Sequence, residues 1–543
     1  MKASRGLSLS LVRAMIVLAA LAGCPGPART PPPPVPPAPT PEPAVGVVKP
    51  GTPPPRLVVL LVVDQLPAWA FTAKRAALTG GFDRLLREGE WHIGQHPSAA
   101  TLTAPGHALL GTGEPTATSG ILANSWWDRD AGKLVESVRD VSGAVTSARL
   151  RVPGLGDAMQ AANATRPVAG KAIAVSLKDR AAILSLGHAG TAIWYDAKAV
   201  AWTSVALVPW LAEWNRTHPI NAHLKDVWSP LDAARLATLT GIADAAPGEV
   251  GDKGFGPTFP HDLGATKEPA LAIFAAPIGN ELVLDTASEA ITAEQLGADD
   301  VPDLLVVSLS ANDYIGHAWG HESWEAWDAL MRLDQRLDAF VAALDERIGA
   351  GQWAMIVTSD HGASPMPKGK LTYAQIKEAA NKAAATELGG GEWIADAHFP
   401  TLFLTKAALA HKDRAKAVRK IVFALRSFPG LARVERTADV AGNCDQRTGE
   451  LFRLCLTVDP QRSGEVLFVP RPGWTIGSVE EPHATAHGSL NDYDREVPVI
   501  MLEPGRTPHA AATRPSETTI QMVRIATVLA RWLGIPPPGT LPR

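Results

Sequence analysis

The feature that most constrains this chain is a series of short apolar runs, each of which ends in polar or charged residues. The first, "RLVVLLVVDQL", begins at Arg56 and reaches its first carboxylate at Asp64. Continuous aliphatic and β-branched residues are typical of strands buried on both faces of a sheet. The other runs are Ala172–Arg180, Thr191–Asp196, Asp303–Asp313 and Trp353–Gly362. Such strands require a covering layer on each side of the sheet.

Helical patterns separate several of these runs. The clearest starts at Ser323, "SWEAWDALMRLDQRLDAFVAALDERIG", where apolar residues recur at spacings of three and four. Buried strands that alternate with amphipathic helices predict an α/β fold, a doubly wound and mainly parallel sheet with helices on both faces.

The N-terminus is typical of an export signal. A basic start precedes an apolar run, and the tetrapeptide "LAGC" ends at Cys24. It resembles a bacterial lipobox, so we predict a lipoprotein signal peptide at 1–23 and a lipid anchor on Cys24; an ordinary cleaved signal is the alternative. Both interpretations predict an exported chain, at the periplasmic face or in the cell envelope, and we expect no further membrane span.

The remaining chain divides into a spacer and one large domain. Residues 24–55 are proline-rich and predict an extended spacer, because they suit neither a helix nor a central strand. Residues 56–543 are expected to form the catalytic domain, with a smaller α/β subdomain inserted at about 366–480. The segment Ala197–Glu294, rich in Trp, Pro and Gly, predicts irregular insertions over the active site.

Charge limits the kind of partner. The chain has 51 Lys and Arg against 55 Asp and Glu, a net charge of -4. This balance argues against a nucleic-acid-binding protein that relies on phosphate neutralisation. It leaves the oligomeric state open, and a monomer is compatible with it.

With Cys24 assigned to lipid, two cysteines remain. Cys444 and Cys455 lie close in sequence, and in an exported protein such a pair predicts a local disulfide. A metal site is the weaker alternative, since two cysteines alone do not complete a zinc shell.

Carboxylates and imidazoles gather at the carboxyl ends of the predicted strands, the edge where open α/β sheets bind ligands. Asp313 and His317 lie four residues apart, which on a helix places both on one face. Asp360 and His361 are adjacent at the end of another strand. Nitrogen and oxygen donors of this kind suit two zinc ions. The full set is Asp64, Asp313, His317, Asp360, His361 and His487.

In this order, the motifs resemble the alkaline phosphatase superfamily, and within it the PafA-like alkaline phosphatases and the related nucleotide pyrophosphatase/phosphodiesterases. The similarity runs from about Leu57 to beyond His487 and rests on Asp64, "TAPGHALLGTG", "ANSWWDR", "SLKDR", "NDYIGHAWG", "TSDHG" and "AHGSLNDYD". It implies two zinc sites. One would be held by Asp64, Asp360, His361 and the nucleophile, and the other by Asp313, His317 and His487.

The nucleophile that the resemblance implies is Thr103, directly before "APGHA". Coordination to zinc would lower the pKa of its hydroxyl enough for attack on phosphorus. Thr101 is the competing residue, and a helix-capping role for both threonines is the alternative. We assign nearby His107 a structural role.

Two cationic residues are candidates for binding the substrate. Lys178 and Arg180 alternate along what we predict to be extended chain, which would point both to one side. The resemblance implies that they contact the phosphoryl oxygens together with Asn124. Because a monoester carries one more negative charge than a diester, they favour hydrolysis of small phosphate monoesters through a phosphothreonine intermediate. The alternatives are a phosphodiesterase or nucleotide pyrophosphatase on the same scaffold, and a non-catalytic surface lipoprotein.

Four aromatic residues near the second zinc motif need an interpretation. His321 stands where many relatives are expected to carry proline, and we interpret it as a surface residue. Trp319, Trp324 and Trp327 could line the mouth of the pocket, but at helical spacing they are more typical of core.

Overall fold

The computed structural model describes residues 51–478, 482–506, 514–516 and 518–541, so the predicted signal peptide and most of the spacer lie outside the described residues. The strands are β1 Leu57–Val63, β2 Glu90–Gln95, β3 Ser125–Asp128, β4 Lys133–Glu136, β5 Ala172–Ser176, β6 Thr191–Asp196, β7 Ala201–Thr203, β8 Val227–Trp228, β9 His261–Asp262, β10 Asp303–Leu309, β11 Trp353–Thr358, β12 Gly369–Thr372, β13 Ile394–His398, β14 Thr401–Leu404, β15 Leu431–Arg436, β16 Val466–Pro470, β17 Trp474–Gly477, β18 Glu496–Leu502 and β19 Ile520–Gln521. The α-helices are α1 Ala68–Lys74, α2 Gly81–Glu88, α3 Thr103–Thr112, α4 Thr116–Ser119, α5 Leu155–Asn163, α6 Asp179–Leu186, α7 Leu211–Thr217, α8 Ala233–Thr240, α9 Pro269–Ala272, α10 Pro277–Ala293, α11 Ala311–Trp319, α12 Trp324–Arg347, α13 Tyr373–Leu388, α14 Lys406–Ala410, α15 Arg414–Arg426, α16 Thr437–Val440, α17 Gly449–Thr457, α18 Asp492–Arg495 and α19 Ile525–Trp532.

The main sheet has nine strands in the order β19-β2-β18-β11-β1-β10-β5-β6-β7. Its centre is parallel, since β1 pairs in parallel with both β10 and β11, and β5 with both β10 and β6. Strand β18 runs antiparallel between β11 and β2, and β7 is an antiparallel edge strand. The predicted mainly parallel sheet is confirmed.

Both faces of this sheet are covered, as alternate residues of β1 show. Leu57, Val59 and Leu61 pack into a core that includes α2, α10 and α12. Val58 and Leu60 belong to a separate core on the other face, with α3, α6 and α19. Because every side chain of β1 is removed from water, an uninterrupted apolar run is what this position requires. The predicted doubly wound arrangement is confirmed.

A second sheet lies within the range predicted for the smaller subdomain. Its four strands are ordered β13-β14-β16-β15 and pair antiparallel. Helices α13 and α15 share a core with it. The predicted disulfide between Cys444 and Cys455 is confirmed, with Cα atoms 5.5 Å apart. The boundaries 366–480 stay a prediction.

The segment Ala197–Glu294 is more regular than we predict from its composition. It contains α7 to α10, and Val283, Leu284 and Ala287 of α10 are buried in the core of the main sheet. Helix propensity and burial of that face outweigh the Pro and Gly content of the flanking loops. No single described helix is long and apolar enough to cross a membrane, and one pair, Pro269–Ala275 and Pro277–Ala293, meets that test only across an 86° bend.

Candidate active site

The predicted metal ligands meet at the carboxyl edge of the parallel strands. Asp64 directly follows β1, and its backbone N–H donates to the carbonyl of Leu309 at the end of β10, 3.2 Å away. Asp313 lies in the first turn of α11, which begins just beyond the same strand. Asp360 and His361 follow β11 and are fully buried. Adjacent parallel strands therefore deliver these side chains to one place.

One group of ligand atoms comprises Asp313, His317 and His487. The Nε2 atom of His317 lies 3.3 Å from Asp313 Oδ1 and 3.1 Å from His487 Nε2, and His487 Nε2 lies 3.7 Å from Asp313 Oδ1. All three atoms face a common point, as the ligands of one metal ion would.

The far side of each imidazole in this group is held by a carbonyl. His317 Nδ1 lies 2.9 Å from the carbonyl oxygen of Thr485, and His487 Nδ1 lies 2.7 Å from that of Thr101. An Nδ1–H that donates to a carbonyl leaves the Nε2 lone pair directed at the common point. The rings are thus oriented as ligands by contacts from two different loops.

A second group comprises Asp64, Asp360 and His361. His361 Nε2 lies 3.6 Å from Asp64 Oδ1 and 3.5 Å from Asp360 Oδ2. None of these three atoms has a hydrogen-bond partner among the residues that the structure describes, although all are buried. His107 Nδ1 lies 3.1 Å from Asp360 Oδ2 but bonds the carbonyl of Thr103 instead.

Buried polar atoms without partners are costly, so their convergence needs an explanation. A bound divalent cation would explain this convergence, because the two groups together offer carboxylate oxygens and neutral imidazole nitrogens. These are donors that zinc binds. Asp313 also lies within reach of Asp64 and His361, which brings the two groups side by side. The residues present fit a two-metal site.

Lys178 lies between the two groups. Its Nζ is 2.6 Å from Asp64 Oδ2 and 2.6 Å from Asp313 Oδ2. Burial raises the pKa of Asp64 well above its usual value, with a further contribution from Asp360. Burial acts on Asp313 in the same direction, but Lys178 and His317 hold the pKa of Asp313 well below its usual value. The ammonium group thus compensates part of the negative charge.

The imidazoles are mostly held in the neutral form that metal binding requires. Burial lowers the pKa of His361 to about 3, and it also lowers the pKa of His487. Burial acts to lower the pKa of His317 too, but the Asp313 carboxylate raises it above its usual value. A proton therefore competes with a metal ion chiefly at His317, and metal affinity falls as the pH falls.

Thr103 occupies the first position of α3, and its side chain is almost fully buried. Its hydroxyl makes no hydrogen bond to any described residue, whereas the Thr101 hydroxyl accepts from the backbone N–H of Ser489 at 3.2 Å. The fold therefore uses the Thr101 hydroxyl and leaves that of Thr103 available.

The residues after Thr103 permit a close approach to the second ligand group. A Cβ atom on Gly106 would lie 2.2 Å from the carbonyl oxygen of Asp360, so only glycine fits there. His107 is fully buried, with Nδ1 2.9 Å from the Thr103 carbonyl and Nε2 2.9 Å from the hydroxyl of Ser308. These contacts fit the structural role that we assign to His107.

The predicted substrate-binding residues are also nearby, but one local expectation is wrong. Strand β5 ends at Ser176, and Lys178 is the residue that precedes helix α6, so Lys178 and Arg180 do not alternate along a strand. Asp179 in the first turn favours a helix start there, because an acidic side chain stabilises the helix N-terminus. Both cations nevertheless line one cavity, and Asn124 Oδ1 accepts the N–H of Ala104, 2.8 Å away.

The surface interpretation of His321 is wrong. The residue is 1% exposed, and its Nε2 lies 3.0 Å from Oε1 of Gln65. Burial lowers the pKa of His321 well below its usual value. The chain turns sharply at Gly320, φ 85°, which sends His321 inward where a solvent-facing turn is expected.

Gln65 is a site residue that sequence reasoning misses. Its amide nitrogen lies 2.7 Å from Asp313 Oδ1 and 3.0 Å from His317 Nε2, and the residue has a left-handed backbone, φ 59°. A Cβ on Gly316 would lie 2.2 Å from the Gln65 oxygen and 2.7 Å from His321 Nε2, so the "GHAWG" motif makes room for this pair. The only sequence signal is a polar residue directly after Asp64.

The tryptophans belong to the core. Trp319 is fully buried, Trp327 is nearly so, and the Nε1–H of partly buried Trp324 donates to the carbonyl of Ile242, 3.0 Å away. None of the three lines the cavity beside Lys178. The core interpretation is confirmed.

Known proteins resemble this chain over most of its length. The family described as type I phosphodiesterase / nucleotide pyrophosphatase matches residues 58–493. The calcium-transporting ATPase of Myroides odoratus is 30% identical over 522 residues, 89% of this chain and 92% of that protein. Alkaline phosphatase PafA of Elizabethkingia meningoseptica is 30% identical over 493 residues, 83% of this chain and 87% of PafA. The crystal structure of wild-type PafA matches with a TM-score of 0.78 at 27% identity, covering 89% of this chain and 97% of that one.

Proposed function

Because this chain belongs to the type I phosphodiesterase/nucleotide pyrophosphatase family, and within the alkaline phosphatase superfamily to the PafA-like alkaline phosphatases, we propose that it hydrolyses phosphate monoesters through a phosphothreonine intermediate at a two-zinc site. The observation that carries the proposal is the convergence of unpartnered buried ligand atoms from Asp64, Asp360 and His361. The helix that begins at Thr103 closely approaches Asp360 through Gly106.

In the first proposed step, Thr103 Oγ loses its proton to solvent and attacks phosphorus in line with the leaving alcohol. The Oγ–P bond forms, the bond from phosphorus to the alcohol oxygen breaks, and the alcohol leaves with a proton. In the second step water attacks the phosphothreonine, the Oγ–P bond breaks, Thr103 regains a proton and inorganic phosphate leaves. Zinc ions held by the two ligand groups would supply Lewis acidity for the attacking and leaving oxygens.

The contribution of the chain itself is to hold these groups in place. Gly106 lets α3 contact the Asp360 loop, which keeps Thr103 beside one ligand group. Asn124 anchors the N–H of Ala104 through its carbonyl oxygen, and no described residue occupies its amide nitrogen. A donor fixed before the reaction stabilises phosphoryl charge without reorganisation.

Lys178 and Arg180 support a monoester as the substrate. The Nε of Arg180 is buried and has no partner among the described residues, and both cations border the same cavity. Two cations near the transferring group favour a dianionic monoester over a monoanionic diester. Diester hydrolysis is the second candidate, and the size of that cavity, about 860 Å³, favours it because a second ester group would fit.

Kinetics of the zinc-loaded protein separate the two candidates. We expect a higher kcat/KM for 4-nitrophenyl phosphate than for bis(4-nitrophenyl) phosphate. Lys178→Ala and Arg180→Ala should reduce turnover of the monoester more than that of the diester. A preference for the diester that survives in both variants would overturn the monoesterase proposal and support the second candidate.

The covalent step has its own test. Acid quenching during turnover, followed by mass spectrometry of peptides, should find phosphate on Thr103. Thr103→Ala should lose activity by about 10³-fold or more, because a nucleophile is removed, whereas Thr101→Ala should retain most of it. Phosphate on Thr101, or an unchanged rate in Thr103→Ala, contradicts the assignment.

We also propose that the mature chain is exported and anchored by lipid on Cys24, which lies outside the described residues. The lipobox-like "LAGC" and the spacer that follows support this location. Cells that express the full chain should incorporate labelled palmitate into it, and Cys24→Ser should abolish the label. Equal labelling of both chains would contradict the anchor.

A further inference from the structure

The cavity beside Lys178 and Arg180 has a volume of about 860 Å³. One side is formed by the scaffold, at the ends of β5 and β6. The other side comes from the insertion Ala197–Glu294, whose lining residues include Lys198, Ser204, Val205, Lys253, Leu271 and Phe274. The segment that the sequence predicts to cover the active site therefore supplies much of this wall.

The cavity begins next to the first ligand group. Tyr314 directly follows Asp313 in α11, and its ring borders the cavity. Lys178 Nζ lies 5.0 Å from the centre of this ring, and Lys253 Nζ lies 5.2 Å from it. Lys178 Nζ in turn lies 2.6 Å from Asp313 Oδ2. Lys253 is therefore close to the Asp313–His317–His487 group.

This position fits the alcohol part of a substrate. In the proposed reaction Thr103 acts with the Asp64–Asp360–His361 group, which leaves the other group for the oxygen of the departing alcohol. An alcohol attached to that oxygen would extend past Tyr314 and Lys253. The cavity adjoins both of these residues and the two cations proposed to bind the phosphoryl group.

Rings form one wall of the cavity. Phe274 packs against Tyr314 with ring centres 5.3 Å apart, and Tyr195 packs behind Phe274 at 5.5 Å. Tyr314 and Phe274 are half-buried, so part of each ring remains open to a ligand. A planar ring in the alcohol gains contact with such a surface.

Among the charged side chains of the cavity, most acidic groups are already engaged. Glu136 and Asp179 bind the Arg139 guanidinium at 2.8 and 2.7 Å. Among the described residues, Lys253 has only Asp252, 3.4 Å away, as an ionic partner. Lys198 forms no ion pair with any residue that the structure describes. The cavity thus retains cationic groups beyond those proposed to bind the phosphoryl group.

The loop around Lys253 is held to the catalytic scaffold. The N–H of Val250 donates to the carbonyl of Ala318 at the end of α11, 2.9 Å away, and Trp319 Nε1 donates to Gly256 at 3.2 Å. Lys253 itself has a left-handed backbone, φ 51°, a conformation that disfavours residues other than glycine. Its ammonium group nevertheless lies over the Tyr314 ring that borders the cavity.

We propose that this cavity is the leaving-group site, and that it selects phosphate monoesters whose alcohol contains a planar ring and a second anionic group bound by Lys253. The inference rests on the proposed function, since it names the class of alcohol that the same site releases. Lys253 is then a specificity-determining residue.

The test compares two substrates that differ by one charge, phenyl phosphate and 4-carboxyphenyl phosphate. For each zinc-loaded protein the ratio of their kcat/KM values is measured, so the intrinsic reactivities cancel between variants. Lys253→Met should lower the ratio of kcat/KM for 4-carboxyphenyl phosphate to kcat/KM for phenyl phosphate by about threefold to tenfold. Lys253→Arg should restore this ratio. Lys225→Met, an exposed lysine of the insertion outside the cavity, should leave the ratio unchanged.

Ionic strength gives an independent measurement on the unaltered chain. Raising the salt concentration from 0.05 to 0.5 M should bring the kcat/KM values of the two substrates closer to each other, because screening weakens the contact between Lys253 and the substrate carboxylate. A ratio that neither Lys253→Met nor salt changes overturns the inference while leaving monoester hydrolysis intact. Absence of turnover for both substrates in the unaltered protein instead refutes the proposed function, and the inference with it.

Discussion

The proposed metal-binding edge of the main sheet and the wall that Ala197–Glu294 contributes to the cavity are built differently. The predicted ligands Asp64 and His361 follow central strands and are fully buried, and the strands before them, β1 and β11, pair with each other in parallel. The wall contributed by the insertion rests on loops, where Lys198 is exposed and Val205 is 70% exposed. The predicted metal ligands are therefore positioned by the core of the main sheet, whereas these residues of the cavity wall are positioned by surface contacts.

This difference in construction separates the residues proposed to perform the chemistry from the residues proposed to select the substrate. Metal ligands must converge within fractions of an ångström, which a close-packed sheet edge provides. A wall that only contacts the alcohol tolerates variation, and loops change more readily than strands. Matched substitutions on the two sides should therefore have unequal effects.

The largest effect is expected from removing an imidazole at the sheet edge. His361→Ala should bind one metal ion fewer and lose about 10³-fold or more in phosphatase activity, since the Asp64 and Asp360 oxygens are left without a shared cation. Elemental analysis of dialysed protein and initial rates measure both. His218→Ala, on the insertion, should keep its metal content; equal loss in both variants would break the comparison.

A buried lysine and an exposed lysine provide the next contrast. Lys178→Met should lower the free energy of unfolding of the metal-free protein by about 3–5 kcal/mol, because Asp64 and Asp313 lose the cation between them. Lys198→Met should change it by less than about 0.5 kcal/mol. Urea unfolding measures both free energies. Added zinc should reduce the difference in the free energy of unfolding between Lys178→Met and the unaltered protein. A comparable stability of the two metal-free variants would refute this assignment.

Substitution of Gln65 tests whether residues next to the predicted metal ligands also contribute to metal binding. Gln65→Ala should weaken metal binding about 10- to 100-fold, because its amide orients Asp313 and in turn contacts His321. Competition with a chelator of known affinity measures the change without reference to activity. Gln295→Ala is the matched control, since this exposed glutamine has the same left-handed backbone, φ 54°. An unchanged affinity in Gln65→Ala would show that the ligands need no such support.

The smallest effect on the proposed chemistry is expected at a contact between helix α12 and the insertion. Glu325 of α12 lies 3.0 Å from His261 of the insertion, and burial raises the pKa of Glu325 to about 8. An unfolded glutamate ionises near pH 4.3, so between there and pH 8 the folded chain holds a proton that the unfolded chain has lost. Stability conferred by the neutral form is therefore lost as the pH rises through this window.

Melting temperatures from pH 5 to 9 check this sign. The unaltered protein should lose stability with rising pH more steeply than Glu325→Gln, which has no proton to release at that position. Glu346→Gln, an exposed substitution on the same helix, should retain the original slope. Parallel curves for all three proteins would contradict the titration of Glu325.

Residues with a periodic or adjacent pattern could be predicted from sequence. The strand Thr191–Asp196 has the bounds that its apolar run indicates, and Asp313 and His317 share a helical face as their spacing requires. These features depend on local geometry. The arrival of His487 beside them depends on the course of the chain through the smaller sheet, and only the family resemblance pointed to it.

Residues whose role arises from a turn could not be predicted. Lys178 precedes a helix because the strand stops two residues earlier, and an apolar run does not mark that point. His321 turns inward after Gly320, and Gln65 folds its amide back onto Asp313 from a left-handed backbone. Such conformations depend on tertiary contacts, for which one sequence carries no periodic signal.

The contact between His487 and the carbonyl of Thr101 joins residues 386 positions apart. A chain that ends between His361 and His487 contains the proposed nucleophile and lysine and five of the six predicted metal ligands, but lacks the side chain that completes the Asp313–His317–His487 group. The proposed site is therefore complete only after nearly all of the chain has been made, because one of its ligands is supplied close to the C-terminal end of the sequence.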